Sequence, residues 1–491
     1  GPGLTGGGGG APVTATTGGD VDDLGGWAGA AHATSLPELL RLAIQQAPAL
    51  ASARIDIAVA EARIEQTWVR NDWQVKSQLT VNSSAGAFSG ISIDRQTQVG
   101  LTGDLIRGLP TGGTVDLHAV SQYSRTASAL GNSTQWFDEI SGTITQPLLR
   151  GRGQALFDAN ERKAGIARDV AGASRRLAAI QTVQAVVAAY WDLVSAERDL
   201  AITRASLDLT RERLRVTQVG VDGGKIARSE LPAVQQIIAT RQEDVLGGEL
   251  AVVNASIALR RSVGMSIGAG ELMLHVDTDL ELRDGAFDIG ALVERAYGNS
   301  PELAQVGLQD HSATLDIEVT ENGLLPQLDA ALTLGPAGQD AGFGRALGNL
   351  VELKQVAIAG SLTYSRGLEQ HDVRGRAREL RTAREKLRVT AFDVRAQIAQ
   401  AMARAVGGLE LARRRVVLSQ RAIDLAKENI AIETSRFTLG KSTNFDILNR
   451  QEELRQAELR KAHAQIDWHK AEGVVLALTG ELLPAFGIAV E

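Results

Sequence analysis

From Trp73 onward the chain alternates strictly between apolar and polar positions. Trp73, Val75, Leu79 and Val81, with Ser77 among them, fall on one face; Gln74, Lys76, Gln78, Thr80 and Asn82 fall on the other. Three further stretches repeat the pattern: Thr97, Val99 and Leu101 against Gln96, Gln98 and Thr102; Val115, Leu117 and Ala119 against Asp116, His118 and Gln122; and Ile140, Gly142 and Ile144 against Ser141, Thr143 and Thr145. A period of two predicts strands, and the turn-forming clusters Gly86 to Gly90, Leu109 to Gly113 and Gly131-Asn132 separate them. About ten residues per strand fits a tilted strand that crosses a bilayer. A half-buried soluble sheet would show the same alternation. The strong polarity of the second face favours a wet lumen, for which the expected lining residues are Gln74, Lys76, Gln78, Asp116, Thr143 and Thr145. Trp68, Trp73, Trp136 and Tyr364 lie near predicted strand ends, where interfacial aromatics sit. Core packing is the alternative for each, and is slightly favoured for Trp68.

Elsewhere the period is helical. Residues 36–72 predict a helix with Ser35 and Glu38 as a capping box and a joint at Pro48. A very long helix is expected over 154–218, with Leu177, Ile180, Val183, Val187, Tyr190 and Val194 forming a narrow, coiled-coil-like seam. At about 1.5 Å per residue it would span roughly 100 Å. A turn at 219–228 and a return helix at 229–263 follow, then an acidic linker.

The pattern then repeats. A shift of 216 residues places Arg150-Gly151 on Arg366-Gly367, Gly224-Lys225 on Gly440-Lys441 and Gly264 on Gly480. Upstream, a shift of 253 places Pro48, Glu65 and Gln74 on Pro301, Glu318 and Gln327. The chain is therefore a tandem duplication. The first copy spans 34–288 and the second 289–480, with a helix at 289–323, a strand insert at 326–365, a long helix at 369–435, a turn at 437–442 and a return helix at 443–478. Two strand candidates, around Leu328 to Leu334 and Val356 to Tyr364, occupy the second insert; a short tail, 481–491, closes the sequence.

Composition changes this picture little. Aromatic content is 4%, which suits long packed helices better than a globular enzyme. A net charge of −7 gives no reason to expect nucleic acid. Without cysteine there is no thiolate metal site or nucleophile. No unbroken run approaches 18 apolar residues, so no transmembrane helix is expected, which says nothing against a barrel. Residues 1–33 read as a flexible Gly-rich tether without signal-peptide features. A lipid-bearing Cys upstream would explain such a tether, though this chain contains none; a Gly-Pro cloning scar would explain its start equally.

Alternating strands joined to helices of this length describe a conduit. The chain resembles the TolC family of outer membrane channel proteins over residues 36–480. The resemblance is carried by Gln146-Pro-Leu-Leu149 entering the long helix, by Phe437-x-x-Gly440 followed by Asp446-Ile447-Leu448, and by the weaker copy from Gly224 to Glu230-Leu231. It implies a mainly α fold with a membrane β-barrel portion: long antiparallel helical hairpins form a periplasmic tunnel, and a homotrimer shares one barrel. Family members usually contribute four strands per subunit, whereas this chain offers six candidates; either the barrel is larger or one hairpin lies outside it.

The resemblance also assigns the helical turns to the periplasmic gate. Asp446 matches a constricting aspartate ring, Asn449 stands where a second acidic ring would be, and Glu230 matches a gate-linking Asp. Phe437 and Ser442 replace a Tyr and an Arg of the closure network and cannot make their bonds. Asp446 is also readable as a helix N-cap or a first-turn acid favoured by the helix dipole, and one carboxylate can serve both roles. Gly220, Asp222, Gly223, Gly224, Lys225, Gly440 and Lys441 would meet a periplasmic adaptor, and the four glycines would permit positive φ.

Other constellations carry less. Leu439-Gly-Lys-Ser442 lacks the first glycine and the preceding strand of a phosphate loop. His463, Asp467 and His469 read as a solvated helix face, and Arg413-Arg-Arg415 as exposed and paired with acids. No enzyme, cofactor or metal site is expected. The sequence thus points to an outer membrane exit duct of a tripartite efflux pump or type I secretion system, partnered by an adaptor and, indirectly, an inner membrane pump. A soluble coiled-coil adaptor or scaffold with a non-membrane β-domain is the alternative.

Overall fold

A computed structural model describes residues 34–88, 91–128, 131–265, 274–276, 280–283, 285 and 287–488. The tether, part of the acidic linker and the last residues of the tail lie outside these. The chain folds into two compact units, and each draws on both sequence repeats. Of the described residues, one unit holds 34–51, those within Leu177–Ser300 and those from Gln397 to residue 488; the other holds those within Ser52–Arg176 and Pro301–Ala396.

The second unit carries the sheet. Six strands, β1 (Gln74–Phe88), β2 (Ile91–Gly108), β3 (Thr114–Ser128), β4 (Gly131–Pro147), β5 (Gln327–Asp340) and β6 (Gln355–Ser365), pair in sequence order. Every pairing is antiparallel. Because directly paired residues share a face, the register places Val75, Leu105, Leu117, Gly142, Leu334 and Ile358 in one row across all six strands. That face is most exposed on the edge strands, where Val75 is 77% accessible and Ile358 73%, while Leu105 and Gly142 in the same row are half-buried. The opposite face carries Lys76, Asp104 and His118 in one row, where His118 Nδ1 lies 2.5 Å from an Asp104 carboxylate oxygen. All six expected lining residues fall on this polar face, and the Thr143 and Thr333 hydroxyls bond there at 2.9 Å.

Helix α1 (Leu36–Gln46) breaks from α2 (Pro48–Thr67) at the proline. Ser35 makes no side-chain cap bond, against the expected capping box, and a 3₁₀ turn at Trp68–Asn71 ends the segment short of residue 72. After the strands come the single turn α3 (Gln154–Phe157) and the 64-residue α4 (Ala159–Asp222), then α5 (Glu230–Val263). The second copy supplies α6 (Ile289–Asn299), α7 (Pro301–Asn322), α8 (Phe343–Val351), α9 (His371–Thr438), α10 (Asn444–Thr479) and the short α11 (Leu482–Ala485). One 18-residue window of α4 is apolar enough to cross a membrane even though no unbroken run is present; 56% of it is buried. Its Val183, Tyr190, Leu193 and Val194 belong to the first unit's core, beside Leu39, Leu40, Leu259 and Ile466. Core membership explains its hydrophobicity.

The strand-to-helix junction is held by local chemistry within the second unit. Gln146 accepts from the Thr111 hydroxyl at 2.6 Å and donates to the Thr111 carbonyl at 3.1 Å, pinning the β2–β3 turn. Gly112 sits at φ +88°, and a Cβ there would fall 2.1 Å from the Gly151 carbonyl oxygen. Arg70 reaches Asp158 at 3.0 Å and Glu161, with its guanidinium over Phe157.

Helix α8 was not expected inside the second insert. Apolar residues at 343, 346, 347, 350 and 351 carry its helical period, but the segment is only nine residues long. It packs on the apolar face of the sheet. Ala346 and Leu350 are buried, Phe343 meets Trp136 edge-on with centroids 5.0 Å apart, and Trp136 in turn contacts Tyr123. A Cβ on Gly338 would lie 2.0 Å from the Ala346 carbonyl oxygen, so only glycine lets the helix backbone approach this closely. Gly338→Val is expected to lift α8 off the sheet and expose the Trp136 ring, read as a red-shifted and more quenchable Trp emission. Unchanged emission would refute the contact.

Aromatic placement differs partly from expectation. Trp73 and Tyr364 are exposed at the helix-proximal ends of β1 and β6, and Trp73 lies under the Arg107 guanidinium at 5.5 Å. Trp68 is 48% exposed, against the core packing favoured for it, and its indole donates to Glu161 at 3.3 Å. The reason is its position on the 3₁₀ turn, outside any packed helix face.

Candidate functional site: the paired helical turns

The two repeat-related turns both lie in the first unit. In the first, Lys225 N–H donates back to the Gly220 carbonyl at 2.8 Å, and Gly224 takes φ +69°. In the second, Lys441 N–H donates back to the Arg436 carbonyl at 2.9 Å, and Gly440 takes φ +68°. Each bond satisfies a terminal helix carbonyl, and the left-handed residue makes it possible. The duplication read from the sequence is thus repeated in backbone geometry. Gly220 and Gly223 do not adopt positive φ, contrary to expectation. Gly220 serves packing instead: a Cβ there would fall 2.4 Å from Ile226 Cδ1.

The starts of the return helices differ. Thr443 caps α10 by accepting from Asp446 N–H at 3.3 Å, while the Asp446 carboxylate accepts from Thr443 N–H at 3.0 Å and the Thr443 hydroxyl at 2.7 Å. This is a reciprocal capping box. The bond from the Thr443 backbone, followed by that from its hydroxyl, holds the Asp446 carboxyl below its ordinary range. Ser229 makes no equivalent side-chain bond at α5. Thr443→Ala should cost about 1 kcal/mol of local stability. Amide exchange at Asn444 to Leu448 would quicken; unchanged protection there would refute the cap's role.

The structure brings most of the predicted gate residues together. Glu230 accepts from Asn444 N–H at 3.4 Å, which joins the start of α5 to the start of α10. Ser442 donates to Glu433 and lies 3.2 Å from Asp446, so it does make polar links in this turn even without the longer reach of an arginine. Phe437 receives the Arg213 guanidinium over its ring at 5.8 Å, a contact between α9 and α4 that needs no hydroxyl. Asn449 is exposed, and Asp222 accepts from Gln218 at 2.9 Å. The turn residues Gly223, Gly224, Lys225, Gly440 and Lys441 are all exposed. Sequence reasoning passed over three exposed apolar neighbours, Val219, Leu439 and Phe445. Their signal was available: large hydrophobes beside glycine turns, off the helical seam.

Further along α10, the expected solvated face is not uniform. His463 is half-exposed, and bonding to Asp199 at 2.8 Å holds its imidazole above the ordinary value. His469 is instead largely buried and stacked on Trp191, with centroids 4.3 Å apart and planes at 4°. Six residues on a helix advance the chain by far from a whole number of turns, so the two rings face different surroundings.

No protein-family model and no curated protein matches the chain. Solved structures do. The outer-membrane channel OprN aligns with TM-score 0.68 at 14% identity, covering 91% of this chain and 90% of its own. The outer membrane protein VceC from Vibrio cholerae aligns at 0.65 and 14%, covering 91% and 96%. This chain has the fold of those channels. The MtrE outer membrane channel of Neisseria gonorrhoeae, solved in an open state, aligns at 0.62 and 14%, covering 91% and 89%. Within that fold the paired turns are the ends of the two helical hairpins.

Proposed function

We propose that the chain is one protomer of a homotrimeric outer-membrane exit duct, a passive conduit through which an inner membrane pump expels its substrate by way of a periplasmic adaptor. The observation that carries this reading is the sheet. One row across all six strands carries Val, Leu or Ile on every strand but β4, where it is Gly142, and its Val75, Leu117, Leu334 and Ile358 are exposed, while Gln, Lys, Asp and Thr line the opposite face. A water-soluble sheet with this much apolar surface open to solvent would aggregate, whereas lipid outside and water inside satisfy both faces. The likeness to outer-membrane channels supports the same reading. Aromatics near both ends of the strands fit interfacial belts.

On this reading the turns form the gate. Asp446, with Glu230 on the neighbouring turn, would bring carboxylates from each copy toward one axis, and such rings select cations by charge. Asn449 makes the mouth less negative than a double ring would. The Glu230–Asn444 bond and the Arg213–Phe437 contact join the two hairpins at this end. Val219, Leu439 and Phe445, beside the exposed glycines, suit docking of an adaptor's helical tips. Tripartite efflux and type I secretion both use such a duct. The deciding test is extraction and conductance: the protein should leave membranes only in detergent, run as a trimer and conduct in planar bilayers. A water-soluble monomer without conductance would sink the proposal.

A further inference from the structure

Resting on the channel reading, the sheet says something further about how copies of this chain meet. Among the described residues, β1 and β6 each have a single strand neighbour, so each presents one free edge of N–H and C=O groups. In a bilayer such groups must be paired, and open edges do not persist there. A hairpin folded outside the barrel would leave four strands per copy, but the pairing contradicts this. β1 and β2 pair from Gln74↔Ile106 to Ser84↔Gln96 and, past a bulge, from Gly86↔Ile93 to Phe88↔Ile91, and β3 and β4 from Thr114↔Thr145 to Ser128↔Gly131. β2 and β3 are joined as continuously, from Gly108↔Thr114 to Arg95↔Ala127 and, past a bulge, Ile93↔Ser128. No hairpin is peeled away.

Length agrees. The strands run from 11 to 18 residues, and about 9–11 tilted residues suffice to cross a membrane. The apolar row also includes both edge strands, through Val75 on β1 and Ile358 on β6. All eleven β6 residues are exposed, as are almost all described β1 side chains, whereas the four inner strands are largely half-buried. Because the strand number is even, β6 of one copy runs antiparallel to β1 of the next, and their apolar residues fall on the same side.

We infer that the free edge of β6 pairs with the free edge of β1 on a second copy of this chain, and that three copies close a barrel of eighteen strands, six from each. Barrel diameter grows roughly linearly with strand number, so the bore is about one and a half times that of a twelve-stranded barrel and open to water, like that of 16–18-stranded porins. The membrane portion is then too wide to limit flow, and restriction falls to the helical turns.

The absence of native cysteine makes the seam directly testable. Lys76→Cys, Gln78→Cys and Thr80→Cys on β1 are each combined with Ser361→Cys on β6, and the detergent-extracted protein is oxidised. A disulfide requires Cα atoms within about 7 Å, so at least one pair should give covalent dimers and trimers on a non-reducing gel. Gln122→Cys on β3 with Ser361→Cys should give none. Cross-linking of the β3–β6 pair, or a trimer in which no β1–β6 pair links, overturns the seam while leaving the channel intact. A soluble monomer overturns both. Should the variants fail to assemble, an end-on reconstruction of the unmodified protein decides the matter: eighteen strands support the seam, twelve refute it.

Discussion

Trp468→Ala is expected to weaken the first unit by about 3–5 kcal/mol, the usual cost of removing a buried indole. Trp468 is 1% exposed and meets the His469 ring edge-on at 5.0 Å, while His469 lies flat on Trp191. Truncation removes the indole's dispersion contacts and leaves a cavity that two long helices cannot collapse to fill, because their backbones are fixed by hydrogen bonds along their length. The His469 Nε2 is already buried without a hydrogen-bond partner among the described residues, so water admitted to the cavity would bond it and recover only a small part of the loss. The measurement is the chaotrope concentration that unfolds the helices in detergent, followed by circular dichroism. A midpoint within error of the parent protein would show that this cluster does not hold α4 and α10 together.

The second large effect concerns Glu452. Arg241 on α5 is 9% exposed and reaches the Glu452 carboxylate on α10, which also accepts two bonds from Arg455, at 2.8 and 2.9 Å. Glu452→Leu leaves the Arg241 guanidinium buried with only Asp244, at 3.6 Å, beside it. Removing one partner of a buried pair costs about 3–5 kcal/mol. The lower end applies, since Glu452 keeps 28% of its side-chain surface in solvent. Arg241→Met combined with Glu452→Leu should recover most of the loss, because the pair is then replaced rather than broken.

The same carboxylate sets a pH dependence. Burial alone would raise its pKa, but the bonds from Arg455, Arg241 and Gln456 outweigh burial and hold it lowered to about 2. A folded pKa below the unfolded value of 4.5 means that the contribution is fully present above about pH 4.5 and is lost as pH falls toward 2. Midpoints measured across that window should fall for the parent protein and change less for Glu452→Gln. Equal slopes would refute the assignment.

Much of this was legible in the chain because it depends on neighbours in sequence. Alternation from Trp73 fixed which residues share a face, since the period of two is a property of extended backbone itself. The duplication predicted matching turns, and Gly224 and Gly440 adopt matching φ because both end a long helix with a residue free of Cβ strain. Asp446 shows the reach of such reasoning. Its spacing from Thr443 suffices for a capping box, while its place in a gate depends on copies of the chain that its own spacing does not describe.

The sequence by itself determined the strands, the long helices, the turns and the repeat, all products of local period and local conformational preference. Only the tertiary structure decided that six strands form one unbroken sheet, that α8 lies on its apolar face against Gly338, and that Arg241 meets Glu452 across more than two hundred residues. Those outcomes turn on which distant surfaces fit together, and no short-range pattern records the shape or charge of a partner that arrives from elsewhere in the chain.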